Sequence, residues 1–451
     1  MTELRRDLGI WAAISIVIGT VIGSGLFRVP QTMVQSVGSA KWVVIVFIVG
    51  GLMSMAGALT YAELAAAMPG AGGEYVYLSE AYGPFWGFLY GWTQMWVAKS
   101  GSIATLATAF FEYLANFFPK LEGVFYTVPL PLGHNFGPLP LKYGQLLAMG
   151  LIVFLALVNY LGVRVGGNLQ VVLTVVKIAA IVAVIVAGLA YASPGHPLSE
   201  QTIAPLTAAG FFAALVGALW AYDGWNNVTM VASEVKRPQR NLPIALIGGT
   251  LIVMILYLLA NFAYFHVLSA AEVGANKRVA AEMMQRVAGS WGASAVSIAV
   301  MISIFAALNG SILSGSRVPY ALARDRVFFA PFARVHPKFA TPGISILGLG
   351  AWSSLLVFSG RYDELYNYVI FASWLLYGMS AAAVIVLRRK RPDLPRPYRT
   401  LGYPLVPALF IAAAIVLEIF TLQHSPREAV GGLVIMALGV PFYLHWRRVL
   451  R

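Results

Sequence analysis

The sequence predicts an all-α polytopic membrane protein with twelve transmembrane helices. Hydrophobic residues make up 59% of the 451 residues and charged residues only 11%, whereas soluble domains are about one quarter charged. Apolar runs of about 20 residues, the length that crosses a bilayer, recur along the chain. Because no segment between these runs is long enough to fold alone, residues 1–451 are predicted to form a single membrane domain.

Twelve apolar runs are candidate spans. In chain order they lie at roughly 8–34, 42–68, 84–117, 144–162, 168–192, 209–233, 242–268, 290–315, 343–359, 365–387, 404–422 and 428–446. With the N-terminus inside, the inner segments hold most of the 31 basic residues, as the positive-inside rule requires. Both termini are therefore predicted to be cytoplasmic, in the cell (inner) membrane. Two inner loops, at 63–83 and 316–336, carry patterns that predict helices at the membrane surface.

Composition excludes several kinds of chemistry. The chain has no cysteine, which excludes a disulfide-linked subunit and cysteine-ligated metals. Phosphate-loop and HExxH motifs are missing from the sequence, so no metal, no cofactor and no enzyme activity is predicted. The net charge of +13 indicates membrane orientation and not nucleic-acid binding, because the basic residues lie between apolar runs. The expected partners are a small-molecule substrate and the lipid bilayer, and a monomer is expected.

Two predicted spans, five apart in the chain, are interrupted. The first contains G-T-V-I-G-S-G-L-F at 19–27 and the sixth contains L-W-A-Y-D-G-W-N-N at 219–227. Each glycine costs a helix about 1 kcal/mol relative to alanine. Paired interrupted spans are typical of inverted-repeat transporters whose site lies between them. Repeat one is placed at about 8–192, repeat two at about 209–387, and two additional helices at about 404–446.

An unwound span exposes the groups that can hold a zwitterion. The half-helix after the break offers N–H groups and a partial positive charge, which suit a carboxylate. The half-helix before it offers carbonyls, which suit an ammonium. The alternative is helix packing, because Gly19 and Gly23 form a GxxxG pair. The second interrupted span favours the binding interpretation.

Several stretches carry a family resemblance. They are the stretch at 19–27, A-E-L-A-A-A-M-P-G-A-G-G-E-Y-V-Y-L at 62–78, A-Y-D-G-W-N-N-V at 221–228, E-V-K-R-P-Q-R-N-L-P-I-A at 234–245, and R-R-K-R-P-D-L-P-R-P-Y-R-T-L-G-Y-P-L-V-P at 388–407. Together they resemble the amino acid–polyamine–organocation (APC) superfamily, in its bacterial L-type amino acid transporter branch. The resemblance implies a LeuT-type 5+5 inverted repeat with broken helices 1 and 6. It also implies sodium-independent exchange of neutral L-amino acids by alternating access. Proton-coupled uptake, an amino acid sensor and a channel remain alternatives.

The resemblance implies that the substrate binds at both breaks. The implied residues are Thr20, Val21, Ile22, Gly23, Ser24, Gly25, Leu26, Trp220, Ala221, Asp223 and Gly224. N–H groups of residues 24–26 would hold the substrate carboxylate. Carbonyls of residues 20–22 and of the sixth span would face its ammonium. Trp220 stands where the family places an aromatic gate. Asp223 has two interpretations: contact with the ammonium or a tie between half-helices, and a cap on an exposed helix end.

Lysines inside spans need a partner or a route to water. The resemblance places a lysine at Lys177 in place of a sodium site, where its ammonium would bond carbonyls freed at the first break. The alternative is snorkelling to the cytoplasmic surface. Further candidates for the pathway are Lys99, Asn309, Ser311 and Ser373. Lys99 has the same snorkelling alternative, and polar groups in membranes also bond neighbouring helices.

Overall fold

The computed structural model describes residues 3–129, 139–192, 198, 202–358, 362–424 and 426–449. The described chain is mostly α-helical. Its α-helices, numbered in chain order, are Ile10–Val21 (α1), Gly25–Val37 (α2), Ala40–Ala67 (α3), Glu74–Tyr82 (α4), Pro84–Thr93 (α5), Lys99–Leu114 (α6), Tyr143–Tyr160 (α7), Val163–Ala190 (α8), Ala208–Ala221 (α9), Asn227–Met230 (α10), Pro238–Val267 (α11), Ala270–Ala275 (α12), Val279–Gly315 (α13), Arg317–Arg324 (α14), Gly343–Val357 (α15), Tyr362–Lys390 (α16), Leu405–His424 (α17) and Pro426–Val449 (α18).

Short elements complete the described chain. A π-helical turn at Gln94–Ala98 joins α5 to α6. Strands Val124–Val128 (β1) and Leu139–Lys142 (β2) pair antiparallel, with Val128 opposite Leu139. Three 3-10 turns lie at Pro119–Glu122, Ala232–Glu234 and Ala330–Ala333.

Many of these helices are built to cross a membrane. Counting consecutive helices as one where they run on, eight in the described chain are long and apolar enough, and α9 and α15 are shorter apolar helices. The chain is therefore a multi-pass membrane protein. The arrangement into twelve spans and two inverted repeats stays a prediction.

The helix that opens the chain lies at the centre of the bundle. Helix α1 packs against α8, α11 and α13, and α2 packs against α9. Small residues allow this close approach: a Cβ added to Gly249 of α11 would lie 2.7 Å from Cγ1 of Val17 in α1. The first and sixth predicted spans are therefore surrounded by protein, whereas many side chains of α8 and α17 face outward.

Helical geometry is interrupted at two places in the interior. Helix α1 ends at Val21 and α2 begins at Gly25. Helix α9 ends at Ala221 and α10 begins at Asn227. Between the latter pair, Gly224 has φ of +103°, which a residue with a Cβ rarely adopts. Gly23 and Gly224 thus lie where the backbone leaves the helix, whereas Gly19 lies inside α1 and Gly25 is the first residue of α2.

The two predicted surface helices are largely buried instead. In α4 the buried residues include Glu74, and in α14 they include Arg317. Both side chains bond other parts of the protein, Glu74 to α5 and α10 and Arg317 to Glu234. Both loops thus form helices, as the patterns predict, and their place at the membrane surface stays a prediction; these two charged side chains face protein partners.

Candidate functional site

A small cavity lies between the two interruptions. Its volume is about 30 Å³, and it is lined by Thr20, Val21, Gly23, Ser24, Gly25, Ser102, Leu106, Trp220, Asp223, Gly224, Asn227 and Ser311. Such a volume holds about one water, whereas pockets for small molecules measure about 300–1,000 Å³. The walls must therefore move apart before a larger ligand can enter. Ser102 and Leu106 of α6 were not predicted, because nothing in the letters of span 3 marks the face that turns inward.

The start of α2 presents unused hydrogen-bond donors. The first N–H groups of a helix have no intrahelical partner and carry part of the helix dipole. The backbone N–H groups of Ser24, Gly25 and Leu26 have no partner among the described residues. Ser24 and Gly25 also line the cavity. This end of α2 has the chemistry of a carboxylate-binding site.

Carbonyls at the end of α1 are already bonded within the protein. The Tyr257 hydroxyl donates to the Val21 carbonyl at 3.1 Å. The Ile22 carbonyl accepts from the Lys177 ammonium at 2.6 Å and from the Ser303 hydroxyl at 2.8 Å. Two of the carbonyls expected to face a substrate ammonium are thus occupied. The hydrogen bonds to the Val21 and Ile22 carbonyls therefore hold the first interruption in place.

Two hydroxyl groups connect one interruption to the other. The Tyr257 hydroxyl lies 2.9 Å from the Ala221 carbonyl oxygen and 3.1 Å from the Val21 carbonyl oxygen. The Thr20 hydroxyl lies 2.9 Å from the Gly224 carbonyl. Because these residues stand on both interruptions, the two segments are held as one unit. Tyr257 was missed in the sequence, where its only signal is a single hydroxyl within a long apolar run.

Lys177 is buried with its charge satisfied. Its side chain is 1% exposed, and its ammonium donates to the carbonyls of Gly19 at 2.9 Å, Ile22 at 2.6 Å and Ser303 at 2.9 Å. Three acceptors use all three N–H donors of an ammonium. The group therefore does not snorkel; it links α8 and α13 to the end of α1.

Asp223 faces the cavity and is tied to another helix. The side chain is half-buried, and the Tyr377 hydroxyl of α16 donates to its Oδ1 at 3.0 Å. The residue that precedes α10 is Asn226, and it makes no side-chain capping bond. The cap interpretation thus finds no support at the start of α10. The position suits contact with a substrate, and Tyr377 fixes the carboxylate.

Trp220 and Ser311 also line the cavity, on α9 and α13. Ala221 and Leu26 are not part of the lining. Ala221 instead supports the start of α2: a Cβ built on Gly25 would lie 2.8 Å from its Cα. Gly25 is therefore needed for the close contact between the two interrupted segments.

The remaining pathway candidates lie outside the lining. The Lys99 ammonium donates to Oδ1 of Asn227 at 2.6 Å, so Lys99 does not snorkel. Asn309 donates to Oε1 of Gln170 at 2.8 Å and belongs to a network between helices. Ser373 is 2% exposed and does not reach the cavity. In the described parts of the chain no group of side chains could hold a metal ion.

An apolar helical bundle that encloses a polar cavity between two interrupted helices has the architecture of a membrane transporter. A model of the amino acid permease family matches residues 8–440, and the chain belongs to that family, within the APC superfamily. The serine/threonine exchanger SteT of Bacillus subtilis (strain 168) is 33% identical over 447 residues, covering 98% of this chain and 96% of SteT. The mouse b(0,+)-type amino acid transporter 1 is 31% identical, covering 98% and 88%. The human cystine/glutamate transporter is 31% identical, covering 98% and 85%. Family and relatives are transporters and not enzymes.

Proposed function

We propose that the protein exchanges neutral L-amino acids across the cell membrane, without sodium, by alternating access. The observation that carries this proposal is the unpaired N–H groups of Ser24, Gly25 and Leu26 beside a cavity that an aspartate also lines. One wall of the cavity suits a carboxylate and the other an ammonium, which together define an amino acid. Relatives that are amino acid exchangers support the class of substrate.

The proposed architecture is a LeuT-type fold with twelve spans and both termini in the cytoplasm. Spans 1 and 6 are the broken helices, α1–α2 and α9–α10. The first repeat would cover about 8–192 and the second about 209–387, with α17 and α18 added. The transporter is proposed to work as a monomer, since its site is built from one chain.

In the proposed bound state the substrate bridges the two interruptions. Its carboxylate accepts from the N–H groups of residues 24–26. Its ammonium lies near Asp223 and the carbonyls of the second interruption, since those of Val21 and Ile22 are occupied. Trp220 closes over the substrate from α9.

The proposed preference for neutral side chains follows from the local charges. The charges of Lys99 and Asp223 interact within the bundle, so the cavity does not carry an unopposed negative charge. A cationic side chain would add a charge without a partner, and burying one is costly. An amino acid with a neutral side chain adds no net charge to the cavity.

Alternating access requires two sides that open in turn. The cytoplasmic side is closed by a bridge between Leu8 and Val235 and by a bidentate pair, Arg317 to Glu234 at 2.7 and 3.0 Å. On the outer side a cavity of about 310 Å³ lies beside Arg28 of α2 and is lined largely by charged residues. We infer that substrate enters from that side and that opening inward breaks the cytoplasmic contacts.

Counterflow in proteoliposomes tests the proposal. Vesicles preloaded with an unlabelled neutral amino acid should take up the labelled one equally in sodium and in choline. Methyl esters and N-acetyl derivatives should fail to compete, because each leaves a buried group unpaired. Competition by both derivatives at the concentrations of the parent amino acid would contradict a zwitterion site.

The alternatives give different results in the same vesicles. Proton-coupled uptake needs no internal amino acid and follows a pH gradient. A channel produces electrical currents far above the turnover of a transporter, and a sensor binds amino acids without moving them. If an acidic outside medium drives uptake into vesicles that contain no amino acid, the protein is a proton-coupled transporter and not an exchanger.

A further inference from the structure

Two adjacent asparagines at the second interruption are each held by a charged side chain from elsewhere. Asn227, the first residue of α10, accepts from the Lys99 ammonium of α6 at 2.6 Å. Asn226, just before it, donates to Oε1 of Glu74 in α4. Lys99 is 5% exposed and Glu74 is 0% exposed. A buried cation and a buried anion thus hold neighbouring residues of the second interruption.

Glu74 is the better anchored of the two. Its Oε2 accepts from the Tyr90 hydroxyl at 2.9 Å and from the Thr229 hydroxyl at 3.3 Å, in addition to the bond from Asn226. Three donors around a carboxylate suit its ionised form, which only accepts hydrogen bonds. Two of these donors, Asn226 and Thr229, belong to the interrupted span 6.

Lys99 is placed by an irregular stretch of helix. The π-helical turn at Gln94–Ala98 ends immediately before it, and such turns are frequent at functional sites. The charge of Lys99 interacts with those of Asp223 and Glu74. Neither side chain lines the cavity, whereas Asn227 does. Their influence on a substrate therefore passes through the asparagines.

We propose that Lys99 and Glu74 are a matched pair of positioning residues, which hold Asn227 and Asn226 and so fix the second interruption against the substrate. Removing one member takes a buried counter-charge from the other, which is more damaging than removing both; Asp223, whose charge also interacts with that of Lys99, stays in every variant. The proposal deepens the proposed exchange function and rests on it.

The pair predicts opposite responses to pH in the single variants. Glu74→Gln leaves Asp223 as the remaining counter-charge that interacts with the Lys99 cation, and higher pH relieves the uncompensated part of that charge by removing a proton. Lys99→Met leaves the Glu74 anion alone, and lower pH relieves it by adding one. The other titratable groups that face the pair are Asp223, Tyr61, Tyr77, Tyr90 and Tyr377; all stay in both variants, so their own titration is common to them.

The experiment compares wild type, Glu74→Gln, Lys99→Met and the double variant as purified full-length protein. The apparent KM and the maximal exchange rate are measured per milligram of protein from about pH 6 to pH 8. We expect each single variant to raise KM about tenfold, with opposite pH slopes, and the double variant to recover part of that loss, because Asp223 then lacks the charge of Lys99. The ranking of competing amino acids should not change, because neither residue lines the cavity.

Controls separate positioning from folding. Tyr90→Phe removes one donor to Glu74 without changing charge and should raise KM by less than about threefold. Glu418→Gln removes a buried carboxylate of α17, a helix that carries neither Lys99 nor Glu74, and should keep the wild-type pH profile. If a single variant does not fold, Glu74→Asp keeps the charge while shortening the reach. It should then raise KM without a new pH slope.

Thermal stability in detergent gives a second readout that needs no transport. The single variants should melt below both wild type and the double variant. A double variant no better than the worse single one in both KM and melting, or parallel pH slopes in the two single variants, would overturn the proposal. Counterflow by the wild-type protein tests the exchange function without any variant. The proposed function and the proposed role of Lys99 and Glu74 can therefore fail independently.

Discussion

Lys177→Met is the sharpest test of how the first interruption is held. The substitution keeps most of the side-chain volume but removes the donors to Gly19, Ile22 and Ser303. Ile22 retains the bond from the Ser303 hydroxyl, whereas the Gly19 carbonyl has no other partner among the described residues. The first interruption then loses its link to α8.

The size of the effect follows from the bonds removed. Hydrogen bonds to a charged group contribute about 1.5–3 kcal/mol each. Desolvation of the ammonium offsets part of the sum, so a net loss of about 3 kcal/mol is reasonable. Since about 1.4 kcal/mol corresponds to tenfold, apparent affinity or exchange rate should fall about a hundredfold.

The assay measures exchange in proteoliposomes at equal protein content, in sodium and in choline. Lys177→Arg keeps the charge and should be less damaging. Thr174→Val, one turn earlier on α8, removes a neutral bond to the Ser15 carbonyl at 3.2 Å; it should cost less than about tenfold. Because the family resemblance implies that Lys177 stands in place of a sodium site, wild-type exchange should be indifferent to sodium.

Two outcomes would refute this reasoning. A Lys177→Met variant with unchanged kinetics would mean that the three bonds do not shape the transport cycle. A wild-type inflection between about pH 6 and 8 that the variant lacks would show that Lys177 titrates during transport, and proton coupling would replace proton-independent exchange.

Three further predictions use the same vesicles or the purified protein. Gly25→Val should reduce substrate affinity more than about tenfold, because its Cβ would meet the Ala221 backbone at 2.8 Å; normal affinity in a substrate-binding assay would revive simple helix packing. Tyr257→Phe removes the hydroxyl that connects both interruptions and should raise KM up to about tenfold; an unchanged KM would mean that this connection does not contribute to substrate binding. Arg317→Met leaves the buried Glu234 unpaired and should lower stability by about 3–5 kcal/mol in detergent denaturation; a variant as stable as wild type would show that the pair is not a closed cytoplasmic contact.

How much the sequence could predict depends on the kind of signal. The positions of Gly23 and Gly224 predicted where the helices stop, because glycine acts on its own backbone; Gly19 did not, since α1 continues through it to Val21. Lys177 was recognisable because a lysine in an apolar span demands partners. These are local properties, and they can be read from a few letters.

The hydrogen-bond partners of these groups could not be predicted from the sequence. Tyr257 and Tyr377 are aromatic residues in apolar runs, and only the packing of α11 and α16 brings their hydroxyls to the interruptions. Glu74 looked like part of a surface loop, because nothing in its neighbourhood shows that Asn226 and Thr229 would meet it from more than 150 residues away. Asn309 was a candidate for the pathway, but it bonds α7 and α8 instead. Contacts between distant segments decide these roles.

The geometry also favours exchange over one-way transport. The N–H groups of Ser24, Gly25 and Leu26 are unpaired among the described residues. The cavity of about 30 Å³ that Ser24 and Gly25 line holds about one water, which can satisfy only part of these donors. Each unsatisfied buried donor costs about 1–3 kcal/mol, so an empty protein that closed on both sides would bear several kcal/mol. In the proposed bound state a substrate carboxylate would accept from all of these donors at once. The loaded protein should therefore pass through the closed state much faster than the empty one. A transporter that returns only when loaded is an exchanger, which is why uptake should require an amino acid on the opposite side.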